Sequence, residues 1–266
     1  MNWGGTILEG VNLSLRTVTL LLHLYGIRLL CRDSWKKHFL LINVALTNIM
    51  MCLCSYLKLI LKLTDAEHAE RYLIGVVATG FLLAYFASLF LITLQRFLEV
   101  YLHMAYEGSV FDIQKQQICA TSWLFSLLYI CAVSIALRLG VSKHLLYDLI
   151  PHIYESVWQG ILVLQFVLVY GYLYVKFRES RNLPHMRPFL RRRTVFVPFI
   201  VVLSFIILDT VPGVLLNFLS GYNINLITFL YTLDMLCNSL LYIFIRKDVR
   251  RQLVRRIEEE RITMNL

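Results

Sequence analysis

Residues 72–102 read YLIGVVATGFLLAYFASLFLITLQRFLEVYL, with no acidic or basic side chain from Tyr72 to Leu94 and then the polar pair Gln95-Arg96. About 20 apolar residues in a helix cross the hydrocarbon core of a bilayer. The stretch therefore predicts one membrane span that closes at Arg96. Working outward, comparable apolar runs fall at 6–31, 38–62, 117–139, 152–178, 189–219 and 222–246. Short polar breaks separate them, such as Arg32-Asp33-Ser34-Trp35-Lys36-Lys37, Thr64-Asp65-Ala66-Glu67-His68, and the Arg178 to Arg193 stretch with Pro184 and Pro188, which read as loops. The expected fold is an all-α membrane protein, a seven-transmembrane helix bundle over residues 1–246. Residues 247–266 form a cytoplasmic tail, in which Val249, Leu253, Val254 and Ile257 at helical spacing predict a short interfacial helix.

Composition agrees. The chain is 58% hydrophobic and 16% charged, against roughly 25% charged in soluble domains, so the surplus apolar surface needs lipid. The net charge of +9 is compatible with nucleic acid or with an anionic membrane face, and placement decides for the membrane. Most of the 26 lysines and arginines fall on one side of the spans: Arg28 to Lys37, Arg96 and Lys115, Lys176 to Arg193, and Arg246 to Arg261. The positive-inside rule then puts the N-terminus outside and the C-terminus in the cytoplasm. The six cysteines lie in or at the ends of spans, leaving no outer disulfide framework and no zinc spacing. The first 30 residues lack the basic start and small-residue site of a cleaved signal peptide. Asn12-Leu13-Ser14 is a formal glycosylation sequon at the mouth of a span, too close to the bilayer for use.

Polar groups in mid-membrane are costly and need a partner or a function. Asn43 and Asn48 interrupt the second span, and Asp234 and Asn238 lie one turn apart on the seventh. Asn48 opposite Asp234 and Asn238 would form a hydrated pocket able to hold a sodium ion or relay helix movement. The alternative is a hydrogen-bond cluster that holds two helices together. Arg96, at the end of the third span, reads either as a functional cation or as a snorkelling one.

In order and spacing these features resemble a rhodopsin-like (class A) G-protein-coupled receptor from about residue 38 to 256. The run ending in Asn48 resembles that family's Asn-Leu-Ala-Leu-Ala-Asp pattern, and Gln95-Arg96-Phe97 with the residues after it resembles Asp-Arg-Tyr. Trp123 matches the fourth-span tryptophan and Pro212 the sixth-span proline. Asn238-Ser239-Leu240-Leu241-Tyr242 resembles Asn-Pro-x-x-Tyr. Departures mark an atypical member: Asn48 for the usual Asp, Gln95 for the acid that restrains the arginine, Ser239 for proline, and Thr210 for the sixth-span tryptophan after an unusual Asp209. The outer disulfide and the fifth-span proline are also missing. Glu99, three residues after Arg96, is placed to pair with it inside the helix.

The resemblance implies an agonist-driven rearrangement about Pro212, with Arg96, Gln95, Tyr174, Asn238 and Tyr242 as the switch that admits a heterotrimeric G protein at the plasma membrane. Ala78, Thr79 and Leu82 stand where amine receptors of the family carry an acid, so the implied ligand is not an amine but an apolar or small molecule. Its outer cavity would draw on Tyr154, Glu155, Trp158, Gln159, Asn217, Thr228 and Tyr231. Asn217 matches a ligand-binding Asn of adenosine receptors. Of seven histidines only His23 lies well inside a span, and no cluster of nucleophiles or metal ligands suggests an enzyme or a cofactor. The rival readings are a proton or cation transporter or channel using Asp209 and Asp234, and a receptor-like scaffold that does not signal.

Overall fold

A computed structural model of the chain describes residues 3–35, 38–102, 109–179, 193–212 and 224–244. The expected interfacial helix in 247–266 and the candidate Asn217 lie outside the described residues, as does the side chain of Thr228. Helix α1 is Trp3–Ser34 and α2 is Phe39–Leu63. Helix α3 runs without a break through Glu67–Tyr72, a π-helical turn Leu73–Ala78, and Thr79–Leu102. Helix α4 is Val110–Arg138. Helix α5 comprises a π turn Leu145–Leu149 and Ile150–Glu179. Helix α6 comprises Arg193–Phe205 and a π turn Ile206–Thr210, and α7 is Ile224–Phe244. The described residues contain no strand.

Local chemistry sets the ends. Ser109 caps α4 by accepting a bond from the Asp112 amide at 3.2 Å, and Asp112 pairs with Lys115 at 2.6 Å. The helix therefore starts at Val110, well before the apolar run at 117: hydropathy marks the lipid-facing length, whereas backbone bonding continues into the polar end. Helix α4 stops at Gly140 (φ 83°), with the Gly140 amide bonding Leu137 O and the Val141 amide bonding Ala136 O, a Schellman stop. Helix α2 ends the same way, but Asp65 occupies the left-handed position (φ 52°).

Two of the π turns precede prolines at the same offset. The Ile150 amide reaches back to Leu145 O two residues after Asp148 and just before Pro151; the Val211 amide reaches Ile206 O just before Pro212. Proline lacks an N–H and its ring crowds the carbonyl four residues earlier, and a widened turn relieves that crowding. The third π turn holds Gly75, where an added Cβ would lie 3.0 Å from the Tyr147 backbone. The α3 and α5 backbones meet there.

Helix α1 packs along α2 and α7, α2 on α3, and α3 on α4, α5 and α6 as well; α6 meets α7, which returns to α1. Helix α3 thus runs through the middle of a closed bundle. Its Tyr85, Phe86, Leu89 and Ile92 form one core with Val44 and Ala45 of α2, Leu162 of α5, Val202 and Phe205 of α6 and Met235 of α7. The outer faces are apolar instead: Phe125, Leu127 and Leu128 on α4 and Leu164, Val167 and Leu168 on α5 are exposed. Five segments, Gly10–Arg32, Phe39–Leu63, His68–Glu99, Val110–Arg138 and Leu145–Lys176, are long and apolar enough to cross a membrane, and Phe199–Thr210 and Phe229–Ile243 are shorter apolar helices. Among the described residues the architecture is all-helical and that of a multi-pass membrane protein.

The two helix stops give opposite expectations. Gly140→Ala forces a Cβ into the left-handed region and should lower stability by about 1 kcal/mol, whereas Asp65→Gly removes that strain and should raise it. Thermal unfolding of the purified chain in detergent should show midpoint shifts of opposite sign.

Candidate functional site

Asp234 is fully buried on α7, and three helices turn polar groups toward it. Tyr85 of α3 donates its hydroxyl to Oδ2 at 2.8 Å, and the Asn238 amide donates to the same oxygen at 3.2 Å. Ser204 of α6 has one proton and three acceptors in range: Asp234 Oδ1 at 2.7 Å, Val201 O at 2.9 Å and Asn238 Oδ1 at 3.4 Å. The shortest contact is to the charged oxygen, so the carboxylate takes the proton. Asn238 also donates to the Tyr85 hydroxyl at 3.3 Å. A sodium ion would need the lone pairs that these donors occupy, so the geometry fits a hydrogen-bond junction of α3, α6 and α7 rather than a cation pocket.

Asn48 takes no part in that junction. It is fully buried, yet neither atom of its amide has a partner, and the Tyr242 hydroxyl is likewise buried and unpaired. Tyr242 instead sets its ring 5.7 Å from His23 of α1. Asn43, one turn and a half earlier on α2, is the bonded asparagine. Its amide donates to Ser88 of α3 at 2.6 Å and its oxygen accepts from the Trp123 indole of α4 at 2.8 Å. On the other flank, Arg16 of α1 is buried and donates from Nε to Thr232 of α7 at 3.1 Å; Thr232 donates to Asn12 Oδ1 at 2.6 Å. The Asn12 side chain of the sequon is thus engaged between helices.

Toward the end of the bundle that holds the Asp65 and Gly140 turns, the expected cavity residues gather in part. Leu82 and Trp158 pack on the core that contains Tyr231. Gln159 of α5 donates to Glu155 Oε1 at 3.4 Å and to Asp209 Oδ2 of α6 at 3.3 Å. Ala78 closes the α3 π turn, and Thr79 bonds back to Ile74 O at 3.5 Å; neither bonds with that group. Among the described residues no set of three histidine, cysteine or acidic side chains suits a metal ion, and all six cysteines are free thiols.

At the opposite end of α3, Arg96 is 9% exposed and forms an ion pair with Glu99, whose other oxygen accepts from Gln95 at 2.9 Å. The pairing inside the helix is the expected one, and Glu99 binds both neighbours at once. Tyr174 lies on the exterior of α5 at 68% exposure and does not join this group. Tyr170, one turn earlier, is inside, in Coulombic range of Arg96 with its hydroxyl unpaired. Pro212 follows the α6 π turn after Val211, and α7 continues as regular helix through Ser239, whose hydroxyl bonds Leu236 O.

Residue chemistry alone pointed to Asp234 and Asn238 but not to Tyr85, Ser204, Ser88 or Tyr170. Tyrosine and serine are ordinary in apolar runs, and only their registry on helix faces one or two turns apart distinguishes them. Neither a protein-family model nor a curated protein matches the chain.

The junction makes a graded expectation. Tyr85→Phe and Ser204→Ala should each lower stability by about 1 kcal/mol, and Asp234→Leu, which strands several donors, by about 2 to 3 kcal/mol. Because both hydroxyls bond one carboxylate, a double-mutant cycle of Tyr85→Phe with Ser204→Ala read by thermal unfolding should be non-additive.

Proposed function

We propose that the chain is a rhodopsin-like G-protein-coupled receptor of seven spans in the plasma membrane, N-terminus outside and C-terminus cytoplasmic. An extracellular ligand shifts a two-state equilibrium, and the inner face admits a heterotrimeric G protein. The observation that carries this reading is the Asp234 junction. It joins α3, α6 and α7 at one carboxylate, so a ligand that displaces one of these helices changes the bonds of all three.

Two further features support it. The widened turn before Pro212 lacks a regular bonding pattern and concentrates bending there. Arg96, at the cytoplasmic end in this reading, is restrained among the described residues by Glu99 of its own helix. Releasing Arg96 therefore breaks a local pair rather than a bond between helices, and basal activity follows. A second reading, a proton or cation path, draws on the burial of Asp209 and Asp234 on adjacent helices within Coulombic range of each other.

Nucleotide exchange on a panel of G proteins, measured without ligand, separates these readings. The native chain should exceed empty membranes, and Arg96→Ala should fall to background. Glu99→Gln should raise output and Gln95→Asp lower it, each about two- to five-fold for the loss or gain of one partly buried ion pair. Equal output from all four sinks the receptor reading. Ion flux in liposomes that disappears in both Asp209→Asn and Asp234→Asn would put the transport reading in its place.

A further inference from the structure

We propose that α5, α6 and α7 form a binding site for a small organic cation bearing a protonated amine or guanidinium, with Asp209 and Glu155 as its counter-charges and Tyr231 and Thr210 as hydroxyl acceptors. This reverses the expectation drawn from the third helix. Ala78, Thr79 and Leu82 supply no acid there, but two other helices bring carboxylates together instead.

The carboxylates are under-satisfied. Asp209 is 5% exposed, and its one hydrogen bond among the described residues is the 3.3 Å contact from Gln159. Glu155 receives the same amide nitrogen at 3.4 Å. Both contacts are long, and the shared donor is neutral, so it orients the two acids and brings no positive charge to them. The contrast with Asp234, which takes three donors at 2.7 to 3.2 Å, is internal to the same bundle. The buried cation Arg16 commits its Nε to Thr232 at 3.1 Å and Asn12 at 3.4 Å and makes no hydrogen bond to either acid among the described residues, although its charge reaches Tyr231. His152, on the same helix, favours the ionised form of Glu155, whereas no basic group acts in this way on Asp209 among the described residues.

Unpaired hydroxyls supply the independent observation. Tyr231 is 8% exposed, its hydroxyl has no hydrogen-bond partner, and it lies in Coulombic range of both Asp209 and Asp234. Thr210 is 7% exposed and its hydroxyl is also unpaired. The π turn Ile206–Thr210 turns the consecutive side chains of Asp209 and Thr210 inward together. Buried hydroxyls without partners cost about 1 to 3 kcal/mol each, and a ligand that donates several N–H bonds would repay that cost while neutralising the acids. An ammonium or guanidinium has those donors. Among the described residues no group of three histidine, cysteine or acidic side chains could hold a metal ion there. Trp158, which lies one turn from Glu155 on α5 and packs against the core that contains Tyr231, adds aromatic surface of the kind that holds organic cations.

The site rests on the receptor reading only for the side of the membrane from which it fills; binding itself does not require signalling. The test uses the full chain in phosphatidylcholine nanodiscs at constant ionic strength, with the unfolding midpoint followed by tryptophan fluorescence. The probes are n-butylammonium, n-butylguanidinium, tetramethylammonium and neutral butyramide. The first two should raise the midpoint saturably, tetramethylammonium should act more weakly for want of N–H donors, and butyramide should have no effect. Asp209→Asn should raise the half-saturating concentration at least tenfold, Glu155→Gln and Tyr231→Phe less, and Asp65→Asn not at all. Should Asp209→Asn not fold, Glu155→Gln, at a half-buried position, carries the comparison. No saturable shift with either N–H cation, or unchanged half-saturation in the foldable acid variants, overturns the proposal. Binding that is intact in a chain without nucleotide exchange would sink the receptor reading alone.

Discussion

A fully buried carboxylate is the constraint on which the bundle depends. Asp234 is fully buried, and an unpaired acid at that depth would cost several kcal/mol. The chain meets the cost by convergence: one donor each from α3, α6 and α7 itself reaches the two oxygens. None of the three helices can rotate or slide by a turn without leaving a buried donor or acceptor unmade. The junction therefore fixes the relative register of the helices more strictly than the apolar contacts around it, in which leucine and phenylalanine interchange with little penalty.

The same logic recurs outward from α3. In lipid, apolar association gains little because the tails are as apolar as leucine, so packing and interhelical hydrogen bonds carry the assembly. Helix α3 bonds α4 through Tyr72 and Ser134 at 2.7 Å, α2 and α4 through the Ser88, Asn43 and Trp123 chain, α5 through the Gln165 bond to Phe90 O at 3.0 Å, and α7 through Tyr85, with α6 joined to the same carboxylate by Ser204. Helix α1, which α3 does not reach, is held to α2 by the 2.6 Å bond between Thr17 and Tyr56 and to α7 by Arg16. Each bond is modest. Distributed along one central helix, they make it the element through which a change at one end can be felt at the other.

How much of this the sequence disclosed depended on the kind of signal. Apolar length announced the helices, because lipid thickness imposes it residue by residue, and it misplaced only polar ends such as Val110, which the Ser109 cap extends. Charged or amide groups inside apolar runs announced Asp234, Asn238, Asn43 and Arg96. What stayed hidden was partnership. Asn48 and Asn43 look alike in the sequence, yet Asn43 is bonded on both sides and Asn48 on neither. Tyr174 and Tyr170 are one turn apart, yet one is exposed and the other packs its ring against Phe166 and Phe199. Choosing between such pairs requires helix rotation, which apolar periodicity defines poorly when lipid and core are both apolar.

The two ends of the bundle then differ in a way that bears on movement. At the Arg96 end the helices are regular and Arg96 pairs with Glu99, the Asp234 junction is satisfied, and unpaired groups such as the Asn48 amide and the Tyr170 and Tyr242 hydroxyls carry no acid among them. Toward the Asp65 and Gly140 turns, Asp209, Glu155, Tyr231 and Thr210 are buried or half-buried with weak bonds or none, and the π turns before Pro151 and Pro212 lie in the same half. A region that combines irregular helix with unsatisfied polar groups sits high in free energy and has the most to gain from a ligand, whereas a satisfied junction resists change until strain reaches it. The step from Thr210 to Ser204 along α6, and from Tyr231 to Asp234 along α7, is two turns or less. A change at Asp209 therefore acts within two helical turns of the carboxylate that locks α3, α6 and α7 together.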